Sequence, residues 1–531
     1  MSHIKVSNLS LDINKVEILK NINFEANRGE ILGVIGESGS GKSMTANSIT
    51  RLLPLGSKVS GEIMINGKNI FELSESEMCN VRGREIGFIF QEPMTALNPL
   101  KNIGDQVAEG VQLHYKYDRE KSLYLASEVL TRVGLPQSDF PLSRYPFELS
   151  GGQRQRVVIA MAIATKPKLI IADEPSTALD VTTQAKLLLL LKSLVLEDKI
   201  CLLMITHDLA VIADIADKII IMKEGEIVEN GNIKMLSKGL KNKYSQKLFK
   251  ASTYRPKTKL IKPSKKILLE VNNLSREYQL GSQGFFGKKK SFEAVKNVSF
   301  SINENENVGL VGESGCGKST LTRAILGLEP ISNGEIRLDG ENIQTNKVQK
   351  NSRRKIQVVF QDPYGSFNPR HQVFKLISEP LYLLEKKVGD TEIREMVSHM
   401  LLSVGLDSKD GDKYIHEFSG GQRQRIAIAR SLIIRPKLII LDEAVSALDV
   451  SIRSQILDLL VEISESFGLS YLFISHDLSL VKSITTKLLV MKSGKLVEYG
   501  KTLDIFNSPK NEYTKSLISA APNLENALLK L

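Results

Sequence analysis

The chain has 531 residues, 42% hydrophobic and 25% charged, with a formal net charge of +11. That length exceeds what one hydrophobic core organises and suits two domains of about 250 residues, while the composition sets aside disordered and fibrous classes. No stretch approaches the roughly 20 apolar residues that a bilayer crossing requires. Leu187 to Leu191, the most apolar run, is flanked by Lys186 and Lys192 and reads as a core helix. Cys79, Cys201 and Cys316 are scattered without metal or redox spacing, and Met1 to Lys5 lacks the pattern of a secretory signal, so a reducing cytosol is expected. The positive charge would suit nucleic acid or an anionic membrane surface. With scattered lysines and no reading module, a solvated basic surface near a membrane is the better expectation.

In chain order, Ile31 to Ile35 is a compact β-type run ending at a glycine-rich loop, Gly36-Glu37-Ser38-Gly39-Ser40-Gly41-Lys42-Ser43, after which a helix is expected. Gln91 follows, then a mostly helical stretch of residues 92 to 149, then Ser150-Gly151-Gly152-Gln153. Leu169 to Ala172 is a second apolar strand ending in Asp173-Glu174, and a further strand leads to His207. Continuous apolar strands of this kind belong to a parallel sheet covered on both faces. A basic, proline-containing stretch near Ser252 to Lys266 reads as a linker, dividing the chain into 1–250, 251–266 and 267–531. The second half repeats the order: Val308 to Val311, then Gly312-Glu313-Ser314-Gly315-Cys316-Gly317-Lys318-Ser319, Gln361, Ser419-Gly420-Gly421-Gln422, Leu438 to Leu441 with Asp442-Glu443, and His476. The offset is 276 between the lysines, 270 between the glutamines and 269 between the signature serines, the glutamates and the histidines. A nearly constant offset over this span is an internal repeat. A second basic stretch, Gly281 to Lys290, interrupts the second half only and reads as a solvated hairpin loop, with contact to lipid headgroups or a partner as the alternative.

Each motif answers a physical need. Glycines at Gly36, Gly39 and Gly41, and at Gly312, Gly315 and Gly317, let backbone N–H groups wrap a phosphate at a helix N-terminus; Lys42 and Lys318 neutralise its oxygens. Ser43 and Ser319 offer hydroxyls to Mg²⁺, and Thr320 joins the phosphate-binding set beside Ser319. Asp173 and Asp442 sit where a carboxylate holds the shell of that ion, and Gln91 and Gln361 are assigned to both metal and nucleotide. Glu174 and Glu443 are placed to polarise an attacking water, and His207 and His476 gain weight as catalytic groups from their recurrence. A fold already equipped with a phosphate loop has little local need for a second anion surface. The starts at Ser150, Gly151, Gly152 and Gln153 and at Ser419, Gly420, Gly421 and Gln422 are therefore expected to serve a nucleotide held by the other half.

The Ser-Gly-Gly-Gln motif between the Gln and Asp-Glu motifs resembles the signature of ATP-binding cassette (ABC) ATPases, over about residues 3 to 250 and 267 to 525. The resemblance implies an α/β fold of two tandem P-loop NTPase domains, each with a mostly parallel sheet core, an antiparallel β subdomain and a helical subdomain. It also implies head-to-tail pairing around two ATP molecules with Mg²⁺. In that arrangement Lys42, Asp173, Glu174 and His207 act with Ser419, Gly420 and Gly421, and Lys318, Asp442, Glu443 and His476 act with Ser150, Gly151 and Gly152. Ala178-Leu179-Asp180 and Ala447-Leu448-Asp449 resemble the loop that couples the two sites.

The runs Phe90 to Pro99 and Phe360 to Pro369 resemble the Gln loops of dipeptide, oligopeptide and nickel importer ATPases, as two specialised cassettes fused in one chain. Tyr513 to Pro522 resembles that group's C-terminal extension, and Tyr244 to Leu248 is a weaker version. An adenine-stacking aromatic is expected at Tyr278, where the first half has Ile13; Ala444 and Phe418 depart from the usual proline and leucine, and with no cysteine after Cys316 no iron-sulfur cluster is expected. The expectation is the ATPase subunit of a peptide importer, peripheral on the cytoplasmic face of the inner membrane, bound to two permease subunits and served by an extracytoplasmic solute-binding protein. Nickel and glutathione-like solutes are the alternative cargoes. A ribosome-binding twin-cassette factor would carry a long charged helical linker, and a DNA-repair ATPase a long coiled-coil insertion; neither is read here.

Overall fold

The computed structural model describes residues 3–176, 179–253, 263–279, 291–343, 350–385, 388–446 and 448–529. Most of the linker, the basic stretch at 281–290, Ala178 and Ala447 lie outside the described residues.

Each half contains a six-stranded sheet and a four-stranded antiparallel sheet. In the first half the large sheet runs Glu226–Asn232, Lys218–Lys223, Ile31–Ile35, Cys201–Ile205, Leu169–Asp173, Ile86–Ile89; the pairings are parallel except at the Glu226–Asn232 edge. The second half repeats this order with Lys495–Lys501, Lys487–Lys492, Asn307–Val311, Ser470–Ile474, Leu438–Asp442 and Ile356–Val359. Alternation explains why these strands are apolar throughout. Ile170 and Ala172 face one hydrophobic cluster while Leu169 and Ile171 face another, so both faces of the strand are covered and a polar residue has no place on either. Each such Ile or Leu contributes about 1.5–3 kcal/mol on burial.

The expected helical stretches are present as Ile103–Tyr115 and Arg119–Arg132 in the first half and Val373–Ser378 and Asp390–Ser403 in the second. The helices after the phosphate loops begin at Lys42 and Lys318, one residue earlier than read from sequence. The Leu187–Leu191 run lies in helix Val181–Asp198, with Leu187, Leu188 and Leu191 buried and Leu189 turned to solvent. Among the described residues no helix is long and apolar enough to cross a membrane.

The halves interlock through helices that exchange cores. Val450 joins the core of the first half and Val181 that of the second. Helix Lys243–Ser252 packs on Val450–Phe467, and its counterpart Glu512–Ala520 packs on Val181–Asp198. The terminal helix Leu524–Leu529 crosses to Leu209–Ile215 and buries Leu524 and Ala527 in the first half's core. Leu524→Asp should free this helix by burying an unpaired charge. Hydrogen exchange would then show lost protection over 524–529 with the strands of the second half unchanged, whereas undiminished protection would mean that the crossing contact contributes nothing.

Candidate functional site: two nucleotide sites at one interface

Sheet register assembles the candidate groups. Asp173 pairs with Ile205 and Asp442 with Ile474, so each Asp-Glu pair ends beside the strand that leads to the histidine. The next N–H on each strand continues the ladder, Glu174 N to Ile205 O at 2.9 Å and Glu443 N to Ile474 O at 3.0 Å. Both glutamates hold a left-handed backbone, φ 48° and 50°. This conformation is sparsely populated by non-glycine residues, persists where the surroundings over-determine it, and clusters at functional positions. Here it turns each carboxylate back toward its histidine. His207 Nδ1 lies 3.2 Å from Glu174 Oε1 and His476 Nδ1 lies 3.4 Å from Glu443 Oε2. Gln91 Nε2 donates to the other Glu174 oxygen at 3.0 Å, which brings three residues singled out in sequence into one cluster. The His476 hydrogen bond is the main reason that the Glu443 carboxyl is held below its ordinary range.

The phosphate loops are formed as their glycine spacing requires. Gly41 and Gly317, at φ 100° and 106°, precede the first helical residue in the left-handed region, and a Cβ on Gly317 would meet Ala294 O at 2.5 Å. Lys42 Nζ donates to Gly36 O at 2.7 Å and Glu37 O at 2.9 Å; Lys318 Nζ does the same to Gly312 O and Glu313 O at 2.7 and 2.9 Å. Burial lowers the Lys42 pKa, opposed by Glu174, Asp449, Asp173 and Glu37. Asp173 and Asp442 are both raised by desolvation, and the Ser43 hydroxyl bonds the Asp173 carboxylate. Asp173 Oδ1 is buried without a hydrogen-bond partner, an acceptor that a hydrated divalent cation would satisfy. Ser43 and Asp173 thus fit Mg²⁺, and Ser319 and Asp442 occupy the matching positions.

Ser150 and Ser419 are N-caps of helices Gly151–Ile163 and Gly420–Leu432, each in a capping box with Gln153 or Gln422. The side chains of these glutamines return to their own helix start, Gln153 Oε1 accepting from Ser150 N at 2.8 Å and Gln422 Oε1 from Ser419 N at 3.0 Å. Their oxygens therefore fix the turn that opens each helix. Tyr278 ends strand Ile267–Gln279 with its ring under the Arg276 guanidinium, 4.5 Å from the centroid, and its hydroxyl donating to Glu329.

Contacts between the halves follow the same pseudo-symmetry. Ser38 N donates to Asp449 Oδ1 at 2.7 Å, Ser451 Oγ donates to Glu37 Oε1, and Thr182 Oγ1 donates to Glu313 Oε1 at 2.8 Å. Sequence reading singled out Asp180 and Asp449 as a coupling loop but missed Glu37, Glu313, Thr182 and Ser451. Thr182 and Ser451 stand 269 apart, the offset of the other motifs, and that was the available signal. The symmetry breaks at the next turn. Arg453 Nη1 binds Asp477 Oδ2 at 3.2 Å, whereas the first half has Gln184 there, donating to Ser176.

The family profile described as ABC transporter matches residues 19–177 and 295–446. Glutathione import ATP-binding protein GsiA of Salmonella choleraesuis (strain SC-B67) is 42% identical over 542 residues, spanning 96% of this chain and 87% of that protein. GsiA of Escherichia coli (strain K12) is 42% identical over 559 residues, spanning 98% and 89%. A solved dimer of the ATP-binding cassette MJ0796 with ADP and Pi aligns with 43% of this chain and 98% of its own at 33% identity and a TM-score of 0.40. The chain belongs to the ABC transporter family. It is a twin-cassette, ATP-binding ATPase, as the motif resemblance implied.

Asp208 and Asp477, each next to its histidine, cap helices Leu209–Ile215 and Leu478–Ile484, and the Asp477 charge reaches Asp208 from the other half. Burial, and then the Asp477 charge, raise the Asp208 carboxyl above its ordinary range, with His207 and Arg453 opposing. A carboxyl whose folded pKa is raised costs stability increasingly as pH climbs from its unfolded toward its folded value. Asp208→Asn keeps an acceptor for the Ala210 and Val211 N–H groups and removes the charge. Its gain in melting temperature should be near zero in acid and largest at mildly alkaline pH; a gain independent of pH would show that charge is not the cause.

Proposed function

We propose that the chain, as cassettes 1–250 and 267–531 joined by a linker at 251–266, is the ATPase subunit of a membrane importer. Each of its ATP sites pairs the phosphate loop of one cassette with the Ser-Gly-Gly-Gln helix start of the other. The observation that carries this reading is the reciprocal cross-cassette contact at both phosphate loops, Ser38 to Asp449 and Glu313 to Thr182. Gly36, Gly39, Gly41, Lys42 and Ser43, and Gly312, Gly315, Gly317, Lys318, Ser319 and Thr320, hold the phosphates. Ser43, Gln91 and Asp173, and likewise Ser319, Gln361 and Asp442, would hold Mg²⁺, which would supply charge neutralisation for the phosphates. Glu174 and Glu443 accept the proton of the attacking water, and His207 and His476 orient those carboxylates.

Two permease subunits are the proposed partners, with the chain peripheral on the cytoplasmic face and an extracytoplasmic binding protein delivering cargo. Support comes from apolar side chains on and beside the first Gln loop, Met94 at 61% and Leu100 at 85% exposed, on a loop that also touches the signature helix through Arg154 and Met94. Small peptides are the proposed cargo class, and the relatives' role in glutathione import favours glutathione, itself a tripeptide, within it.

Glu174→Gln or Glu443→Gln should slow hydrolysis by about 10² to 10⁴ with ATP affinity retained; an equal loss of affinity would reject the general-base role. Ser419→Arg should prevent ATP trapping at the Lys42 site while the Lys318 site still traps nucleotide, and normal trapping at both would reject the shared-site pairing. In a deletion strain, restored uptake of labelled glutathione or oligopeptides supports the cargo class, and restored uptake of nickel alone overturns it.

A further inference from the structure

The C-terminal segments after each cassette put one side chain against the glycine-rich loop. Helices Lys243–Ser252 and Glu512–Ala520 each carry a tyrosine near their start, Tyr244 and Tyr513, separated by the 269 residues that relate the catalytic motifs. The Glu37 N–H donates to Tyr244 Oη at 3.2 Å, and the Glu313 N–H donates to Tyr513 Oη at 3.0 Å. That N–H belongs to the peptide unit whose carbonyl is Gly36 O in the first cassette and Gly312 O in the second, and each carbonyl accepts from the site lysine at 2.7 Å. A single peptide plane therefore joins phenol to ammonium. Hydrogen bonds at the two ends of one amide polarise each other, and fixing one end fixes the direction of the other.

The phenols are themselves held. Lys223 lies 5.6 Å from the Tyr244 ring centroid and Lys492 lies 4.6 Å from that of Tyr513. Burial pushes the Tyr244 hydroxyl up to about 12 and raises Tyr513 as well, so both remain neutral phenols at physiological pH. The helices that carry them sit on the opposite cassette, Lys243–Ser252 against Val450–Phe467 and Glu512–Ala520 against Val181–Asp198. Those same partner helices supply Ser451 to Glu37 and Thr182 to Glu313. The glutamate after the first loop glycine is thus gripped twice, at its N–H by its own cassette's extension and at its carboxylate by the other cassette.

We propose that Tyr244 and Tyr513 are positioning residues, each orienting through one peptide plane the lysine that binds phosphate, from a helix seated on the opposite cassette. The inference rests on Lys42 and Lys318 being phosphate ligands. Tyr244→Phe and Tyr513→Phe keep the ring and remove the hydroxyl, which is the acceptor for the loop N–H and, at Tyr244, also bonds the Glu37 side chain. Because the lysine contacts phosphate in the ground state and the transition state alike, the loss falls on binding. The KM for ATP should rise about three- to tenfold, the scale of one neutral hydrogen bond, with kcat at saturating ATP within about twofold of the parent.

Equilibrium binding of a fluorescent ATP analogue to Lys42→Ala/Lys318→Ala, measured alongside, separates the two layers of the argument. If the lysine variant binds as tightly as the parent, the phosphate-ligand assignment fails. If it loses affinity while both tyrosine variants keep the parental KM, the positioning role alone is overturned. A tyrosine variant with lower kcat, unchanged KM and a lower melting temperature without nucleotide would likewise overturn it, since that pattern reports a packing role.

Discussion

A lysine ammonium buried among main-chain carbonyls is the interaction on which each site depends. Removing such a charge from water is costly, and the cost is visible in the downward pressure of burial on Lys42. It is offset by carbonyls of its own loop, by the carboxylates of Asp173 and Glu174, and by Asp449 of the other half. With Glu37 of the loop itself, the cation is balanced by acidic groups on three separate elements, one of them beyond the domain. Pairing of the halves and the charge state of the phosphate-loop lysine are thereby one electrostatic arrangement.

The same logic explains why the strands end where they do. Parallel strands covered on both faces leave only their termini for polar groups, so Asp173, Glu174 and His207, and likewise Asp442, Glu443 and His476, converge at the carboxyl edge of the sheet. The left-handed turn at Glu174 and Glu443 is what converts a strand end into a directed carboxylate. Without it the next side chain would follow the pleat and point into a covered face.

Much of this was readable in the residues. Two copies of one motif order gave the number of cassettes, the apolar runs gave the sheet strands, and the Gly-Lys-Ser spacing gave the phosphate loops because few chemistries need that spacing. What escaped was contact between distant positions with ordinary composition. Glu37 and Glu313 look like any loop acid, yet their partners Ser451 and Thr182 lie in the other half. Gln153 and Gln422 were assigned to nucleotide, whereas their side chains return to their own helix start, a local competition between capping and ligand that the motif alone does not resolve. Tyr278 was read as an adenine-stacking aromatic, and the Arg276 guanidinium over its ring is a contact that the sequence did not announce.

Fusion of two cassettes changes what symmetry requires. Two identical chains would have to place the same residue on both sides of their axis, but here Arg453 faces Asp477 while Gln184 turns to Ser176. One guanidinium is enough to oppose the Asp208 and Asp477 pair, and a second would add another buried charge at the same place. A covalent linker also makes the pairing intramolecular, with an effective concentration in the millimolar range for short connections. The terminal helix adds to this by returning from the second cassette to the core of the first. The interface consequently combines two kinds of contact, apolar packing of exchanged helices away from the phosphate loops and polar bonds at the loops themselves, made by Ser38, Asp449, Thr182 and Ser451. The bonds at the loops are polar and exchangeable with water, so they hold the phosphate loops in register at little net cost, while the apolar helix packing supplies the bulk of the attachment.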